Sequence, residues 1–187
     1  QDNILKHLNK IRNNVQNLTM ILNDFLSLER IEGGYVKYNP EELLVKELIN
    51  SVVEDVQQML KPGQEIVIQD DTNNATWSMD VFLLRNMLTN LINNAVKYSD
   101  KDIIVRAYSA DSKKAIEVVD QGIGISTQDQ KRLFGRFYRA SNAGQVQGTG
   151  LGLNIVKRYA KIMEAEITFE SELNKGSIFR IEIDGDK

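Results

Sequence analysis

NLINNAVKYS, residues 90–99, sits near the middle of the chain and sets Asn90, Asn93, Asn94 and Lys97 among apolar residues, followed by Tyr98. Asparagine is a poor helix former because its side chain competes for backbone hydrogen bonds, so several together on a helical stretch cost stability. At about 100° per residue, Asn86, Asn90, Asn94 and Lys97 fall within roughly 80° of one another, while Leu84, Leu88, Leu91, Ile92 and Ala95 take another side. The spacing predicts a helix over 81–98 with an apolar face for a core and an amide-plus-ammonium face for something polar. Amide oxygens are hard, neutral ligands suited to completing a Mg²⁺ shell of water and phosphate oxygens, and a lysine meets phosphate as a point charge. Tyr98, at the edge of this face, is placed to stack on a flat base. Taken alone, the stretch also fits a solvated helix face that carries asparagine by chance.

Two more clusters bear on that choice. VVDQGIGIS ends a strand with Asp120 and places Gly122 and Gly124 in the following turn, where the backbone can adopt conformations barred to other residues and come close to a ligand. A carboxylate at a strand exit beside such a turn can accept a hydrogen bond from an exocyclic amino group such as that of adenine. GTGLGLNIVK, residues 148–157, is a run of alternating glycines that opens a helix. Backbone N–H groups free at a helix start, with the dipole behind them, bind phosphate. The spacing G-x-G-x-G without a preceding apolar strand is not the dinucleotide fingerprint, and the Lys-Ser/Thr of a P-loop is missing. A simple turn and a flexible hinge are the plain alternatives for these two clusters taken singly.

Around these segments the pattern is mixed. Ile4, Leu8, Ile11, Val15, Leu18, Leu22 and Phe25 recur at spacings of 4 and 3, a heptad seam, and Leu5, Ile21 and Leu28 widen it. Such a helix belongs in a bundle, or else lies on its own domain. EGGY at 32–35 ends it with two glycines. YVKYNP is expected as a short strand, and Pro40 with Glu41 and Glu42 as the start of a helix to about Leu60. Strands are expected at 65–70, 75–80, 102–109 and 114–120, the last two as a hairpin, and at 166–171 and 177–183. Between them lie a long loop over 135–148 after a short helix and a helix over 151–163. The expected fold is α+β: a two-layer sandwich of a mixed β-sheet with helices on one face, preceded by a long bundle-forming helix. The division is a helix and linker over 1–34 and a folded domain over 35–187.

The 187 residues can bury a real core. Twenty-three basic and 26 acidic residues give a net charge of -3, mixed along the chain, so no basic stripe points to nucleic acid. Cysteine is absent, which removes disulfides, thiolate zinc sites and Cys nucleophiles together. No apolar run approaches the ~20 residues that span a bilayer. The first residue is Gln, and a piece of a longer protein is expected.

In order and spacing these segments resemble the ATP-binding domain of bacterial sensor histidine kinases, proteins of two-component systems within the group that includes Hsp90, MutL and DNA gyrase ATPases. NLINNAVKYS resembles the N box, DQGIGIS the G1 box, LFGRFYRA (133–140) the F box and GTGLGLNIVK the G2 box, over roughly 36–185. The segment ending ILNDFLSLERIEGG resembles the second helix of the dimerisation and phosphotransfer hairpin. The resemblance implies ATP and Mg²⁺, with Asn94 as the metal ligand and Asn90 beside it. It implies Lys97 on phosphate, Tyr98 stacked on adenine, Asp120 accepting the adenine amino group, and Gly122, Gly124 and Ile125 shaping that wall. Arg139 would reach the γ-phosphate, Gly148, Thr149, Gly150, Leu151, Gly152 and Leu153 would complete the phosphate side, and 138–149 would be a lid that closes on substrate. Lys97 and Arg139 would carry the catalytic charge. Phe134 and Phe137 would anchor the lid base, and Gln121 replaces the family's usual Asn at a position expected to face outward.

The chemistry implied is phosphoryl transfer from ATP to histidine, by positioning and charge stabilisation. His7 is the one histidine. It lacks the acidic residue that follows the family's acceptor and the Pro five residues on, since Leu8 and Arg12 stand there. The acceptor is therefore expected outside these residues, on a missing first hairpin helix. The implied partners are a response-regulator receiver domain and a second copy through the hairpin, in the cytoplasmic part of a protein anchored to the membrane by other segments. A non-catalytic ATP-binding module and an Hsp90- or MutL-type ATPase are the alternatives. The ATPase needs a hydrolytic Glu on the N-box helix, where Asn86 and Asn90 stand instead.

Overall fold

The structure, a computed structural model, describes residues 2–110, 113–144, 146 and 148–184. The first helix, α1 (Asp2–Glu32), is uninterrupted and ends at Gly33 and Gly34, the second with φ of 69°. Its heptad seam is not buried by its own domain. Ile4, Leu8, Ile11, Val15, Leu18, Leu22 and Phe25 are 53–66% exposed, which decides against a helix that lies on its domain by that seam. A different stripe docks instead: Met20, Asp24, Ser27 and Ile31 are half-buried and Leu28 is buried. The side chain of Leu5 lies outside the described residues.

β1 (Glu41–Leu44), β2 (Ile66–Asp71), β3 (Thr76–Met79), β4 (Ile103–Ala110), β5 (Lys113–Asp120), β6 (Glu166–Glu172) and β7 (Gly176–Asp184) form two sheets. The large one runs β2-β4-β5-β7-β6, parallel between β2 and β4 and antiparallel elsewhere. A parallel pair needs a crossover. Here α3 (Val81–Tyr98) provides it, with α2 (Val45–Val56) and α5 (Gly152–Ile162) beside it on the same face. The fold is the mixed α+β sandwich expected from the sequence.

Two expectations fail at its start. Residues 35–40 form no strand, and 41–44 are a strand rather than the first turn of a helix. Leu43 pairs opposite Trp77, both buried, so a partner more than thirty residues away outweighs the local signal of Pro40 and two glutamates. The helix begins at Val45 instead.

α3 is held at both ends. Asp80 caps it, its Oδ1 accepting from the Leu83 N–H at 3.0 Å while Oδ2 accepts from the Asn39 N–H at 2.9 Å. At the other end the Lys61 ammonium donates to the carbonyls of Lys97 and Ser99, at 3.2 and 2.7 Å, where the helix dipole is negative. Leu83, Leu84, Met87, Leu88, Leu91 and Ile92 are buried to 1% or less.

The other face of the sheet carries a charge network. Buried Glu117 accepts from Arg180 Nε at 2.6 Å, Tyr108 OH at 3.0 Å and Arg106 Nη1 at 3.1 Å. Burial pushes its pKa up, but the bonds from Arg180 and Tyr108 and the charges of Arg180 and Arg106 outweigh this and hold it below the usual carboxylate range.

Leu88→Ala, in the middle of α3's buried face, is expected to lower unfolding stability by about 2–5 kcal/mol, measured by urea denaturation with the slope unchanged.

Candidate functional site

The polar face of α3 opens onto a cleft of about 810 Å³. Asn86, Asn90, Asn94, Lys97 and Tyr98 line it, together with Asn93. The asparagines tolerate the helix by folding back on it: Asn86 Nδ2 donates to the Phe82 carbonyl at 2.7 Å and Asn90 Nδ2 to the Asn86 carbonyl at 3.0 Å. That leaves the Asn90 Oδ1 without a donor among the described residues. Gly152 makes room for it, since a Cβ there would sit 2.7 Å from this oxygen. The Asn94 amide has no hydrogen-bond partner among the described residues.

Asp120, Gly124 and Ile125 form a second wall. The Asp120 carboxylate is buried, accepts from the Gly122 N–H at 2.8 Å and is hydrogen-bonded by Ser177, its register partner on β7. Burial raises its pKa, and the Gly122 and Ser177 bonds oppose that rise. Gly122 is not on the lining. A Cβ at Gly122 would meet the Tyr98 carbonyl at 2.2 Å, and one at Gly124 (φ 60°) the Glu172 carbonyl at 2.0 Å. Both glycines let the protein close on itself, and Gly124 does so while remaining on the cleft lining.

The third wall is the start of α5. Gly148, Thr149, Gly150, Gly152 and Leu153 line the cleft, whereas Leu151 is buried in the core. Leu151 takes the N-cap position and no side chain among the described residues caps the helix, which leaves the N–H groups of its first turn open.

Arg139 reaches the cleft wall, but its Nη2 donates to the carbonyls of Gly144, at 3.3 Å, and Val146. Gln145 and Gln147, within the expected lid, lie outside the described residues. Phe134, expected at the lid base, packs edge-on to Phe169 with ring centroids 5.7 Å apart. Phe137 does not: it is 70% exposed with φ of 56°.

Three contributors escape a sequence reading. Ser177 supports Asp120 only through strand register. Asp129 gathers the segment that precedes Gly148, accepting from Tyr138 OH at 2.6 Å, Ser126 Oγ at 2.7 Å and Ser141 Oγ at 2.8 Å. From α1, Asp24 Oδ2 accepts from Thr149 Oγ1 at 2.7 Å, and Lys97 Nζ lies 3.4 Å from Met20 Sδ. Burial lowers the Lys97 pKa while the Asp24 charge raises it. Burial raises that of Asp24 against the Thr149 bond and the Lys97 charge.

Residues 79–187 match the family described as histidine kinase-, DNA gyrase B-, and HSP90-like ATPase. The chain is 31% identical over 172 residues to the sensor histidine kinase RcsC of Escherichia coli, over 89% of this chain and 18% of that protein. It is 30% identical over 173 residues to the sensor protein CiaH of Streptococcus pneumoniae, over 90% and 38%. The chain thus spans well under half the length of these curated relatives. Full-length ShkA in complex with AMPPNP superposes with a TM-score of 0.78 at 26% identity, over 90% of this chain and 35% of that one. The Acinetobacter baumannii histidine kinase AdeS shares the fold, with a TM-score of 0.77 at 23% identity over 96% and 84%.

The hydrogen bonds from Tyr138, Ser126 and Ser141 hold the Asp129 carboxyl down at about 2, below its ordinary 3.8. Its folded value being the lower one, the stability it contributes is full above pH 4 and is lost as pH falls towards 2. Asp129→Asn is expected to remove that acid limb and to speed amide exchange over 138–144 by about tenfold, the cost of one charge-assisted bond.

Proposed function

Because the chain belongs to the family of histidine kinase-, DNA gyrase B-, and HSP90-like ATPases, with the fold of histidine kinase catalytic domains, we propose that it transfers the γ-phosphate of ATP to a histidine, for relay to a response-regulator aspartate. The observation that carries this is the convergence on one cleft of α3's amide face, the buried Asp120 carboxylate and the uncapped start of α5. Asp120 accepts the adenine amino hydrogen, Tyr98 stacks on the base, and the N–H groups of Gly152 and Leu153 hold phosphate oxygens.

The donor set suits Mg²⁺. Asn94 offers an amide oxygen, with Asn90 Oδ1 beside it, and among the described residues no group of three or more His, Cys, Asp or Glu side chains gathers. A hard cation here would be held by the Asn94 amide oxygen. When bound, it neutralises charge on the phosphates during transfer. Lys97 adds a fixed positive charge from α3. Arg139 adds a second when it exchanges the Gly144 and Val146 carbonyls for the γ-phosphate, a movement of the 138–149 lid.

His7 is exposed on α1 and shows no acidic neighbour in the next position, so the acceptor is a histidine outside these residues. Residues 1–34 then belong to the dimerisation and phosphotransfer hairpin and 35–187 to the catalytic domain. The exposed heptad seam of α1 is the surface by which two copies pair in a bundle. No helix among the described residues is long and apolar enough to cross a membrane, and anchoring would fall to other segments.

Calorimetry with Mg-AMPPNP tests the cleft. The chain is expected to bind, and Asp120→Asn to bind about tenfold to hundredfold more weakly, the value of a hydrogen bond to a charged group. In the full-length protein incubated with labelled ATP, acid-labile phosphate on histidine is expected to survive His7→Ala and to vanish with Asn94→Ala. Labelling lost with His7→Ala, or retained with Asn94→Ala, would overturn the assignment.

A further inference from the structure

Two residues assigned to the nucleotide's phosphates, Thr149 and Lys97, are engaged by α1. Thr149 donates its hydroxyl to Asp24, 125 residues away in the chain, and the Lys97 ammonium turns to the Met20 sulfur. A thioether is a weak acceptor, so that contact is no substitute for an oxyanion. The Asp24 carboxylate is one: it has the charge sign of a phosphate oxygen, accepts the same hydroxyl donor and lies within the field of the same lysine. Asp24 is half-buried, so bulk water screens little of its repulsion on an incoming triphosphate.

Resting on the reading of the cleft as an ATP site, we propose that Asp24 is an internal phosphate surrogate. α1 docked through Asp24 and a bound triphosphate compete for Thr149 and Lys97, and each weakens the other. The two ends of α1's docking stripe differ in kind. Near Glu32 it is held by charge and burial that the nucleotide does not touch: Glu32 pairs with Arg136 and, at 3.1 Å, with Arg158 Nη2, and Leu28 is 5% exposed. Nearer the seam it is held by Asp24 and Met20. Phosphate arriving at Thr149 therefore frees the second hold and leaves the first, so α1 swings about its C-terminal end. Coupling of this kind is reciprocal and typically 5- to 150-fold, roughly.

Mg-AMPPNP affinity is measured by calorimetry on the unaltered chain, Asp24→Asn and Asp24→Ala. Both variants are expected to bind more tightly, Asp24→Ala by about fivefold to 150-fold. Hydrogen exchange on the unaltered chain is expected to show that saturating nucleotide speeds exchange at 15–27 and leaves 28–32 protected. Unchanged affinity in both variants overturns the proposal. Weaker binding in both, present only with Mg²⁺, overturns it in favour of Asp24 as a metal ligand. Binding by Asp24→Ala but not by the unaltered chain supports it. Binding by none of the three removes the nucleotide reading of the cleft, and this inference with it.

Discussion

Everything in this structure follows from burying one side of α3. Six large side chains of that helix are removed from water almost completely, at a gain of about 1.5–3 kcal/mol each. That burial fixes the rotation of the helix about its own axis. Once the rotation is fixed, the amides of Asn90 and Asn94 and the ammonium of Lys97 have one direction in which to point. The Asp80 cap and the Lys61 ammonium then fix the helix along its axis, so the polar groups are set in height as well as in angle. Asparagines that weaken a helix in isolation are tolerated because the core, and not propensity, holds α3.

The remaining walls are referred to that helix. The turn after β5 meets the Tyr98 carbonyl, with the Ile123 N–H donating to it at 3.1 Å. Asp120 lies in register with Ser177. The third wall, running over 138–152 to the head of α5, is tied by side-chain hydrogen bonds at both ends: the Asp129 cluster at its root and Asp24 on Thr149 near its end. The binding surface thus combines two walls locked to α3 and the sheet with one that is anchored by Leu151 in the core but held along 138–149 by polar contacts. That division suits the proposed reading, in which a base is held rigidly and a phosphate chain is admitted and released.

Much of this was legible in the sequence because the signals were local. The 3.6-residue alternation over 81–98, the period-two runs of the hairpin and the Gly-rich opening of α5 each declare themselves within a dozen residues. What was illegible depended on distance in the chain. β1 exists because Leu43 finds Trp77, and nothing near Glu41 announces it. Asp24 belongs to the cleft only because a second stripe of α1 docks, while the more regular heptad stripe drew attention and stayed exposed. Phe134 and Phe137 look alike in sequence, yet one faces Phe169 and the other faces water. For Asp129 the local partner, Ser126 three residues before it, is only part of the cluster, and Tyr138 and Ser141 join it through the path of the intervening chain.

The glycines beside Asp120 have a further effect. A Cβ at Gly176 would fall 2.0 Å from the Asp120 carbonyl, as close as those at Gly122 and Gly124 would come to Tyr98 and Glu172. Three backbones are stacked there with no side chain between them as a spacer. Such a contact has no rotamer to yield, so substitution cannot widen or narrow the Asp120 wall by small steps. Adjustment of the cleft is left to its other walls, where side chains such as Asn90, Asn94 and Thr149 form the lining and stand apart from the backbone that carries Asp120.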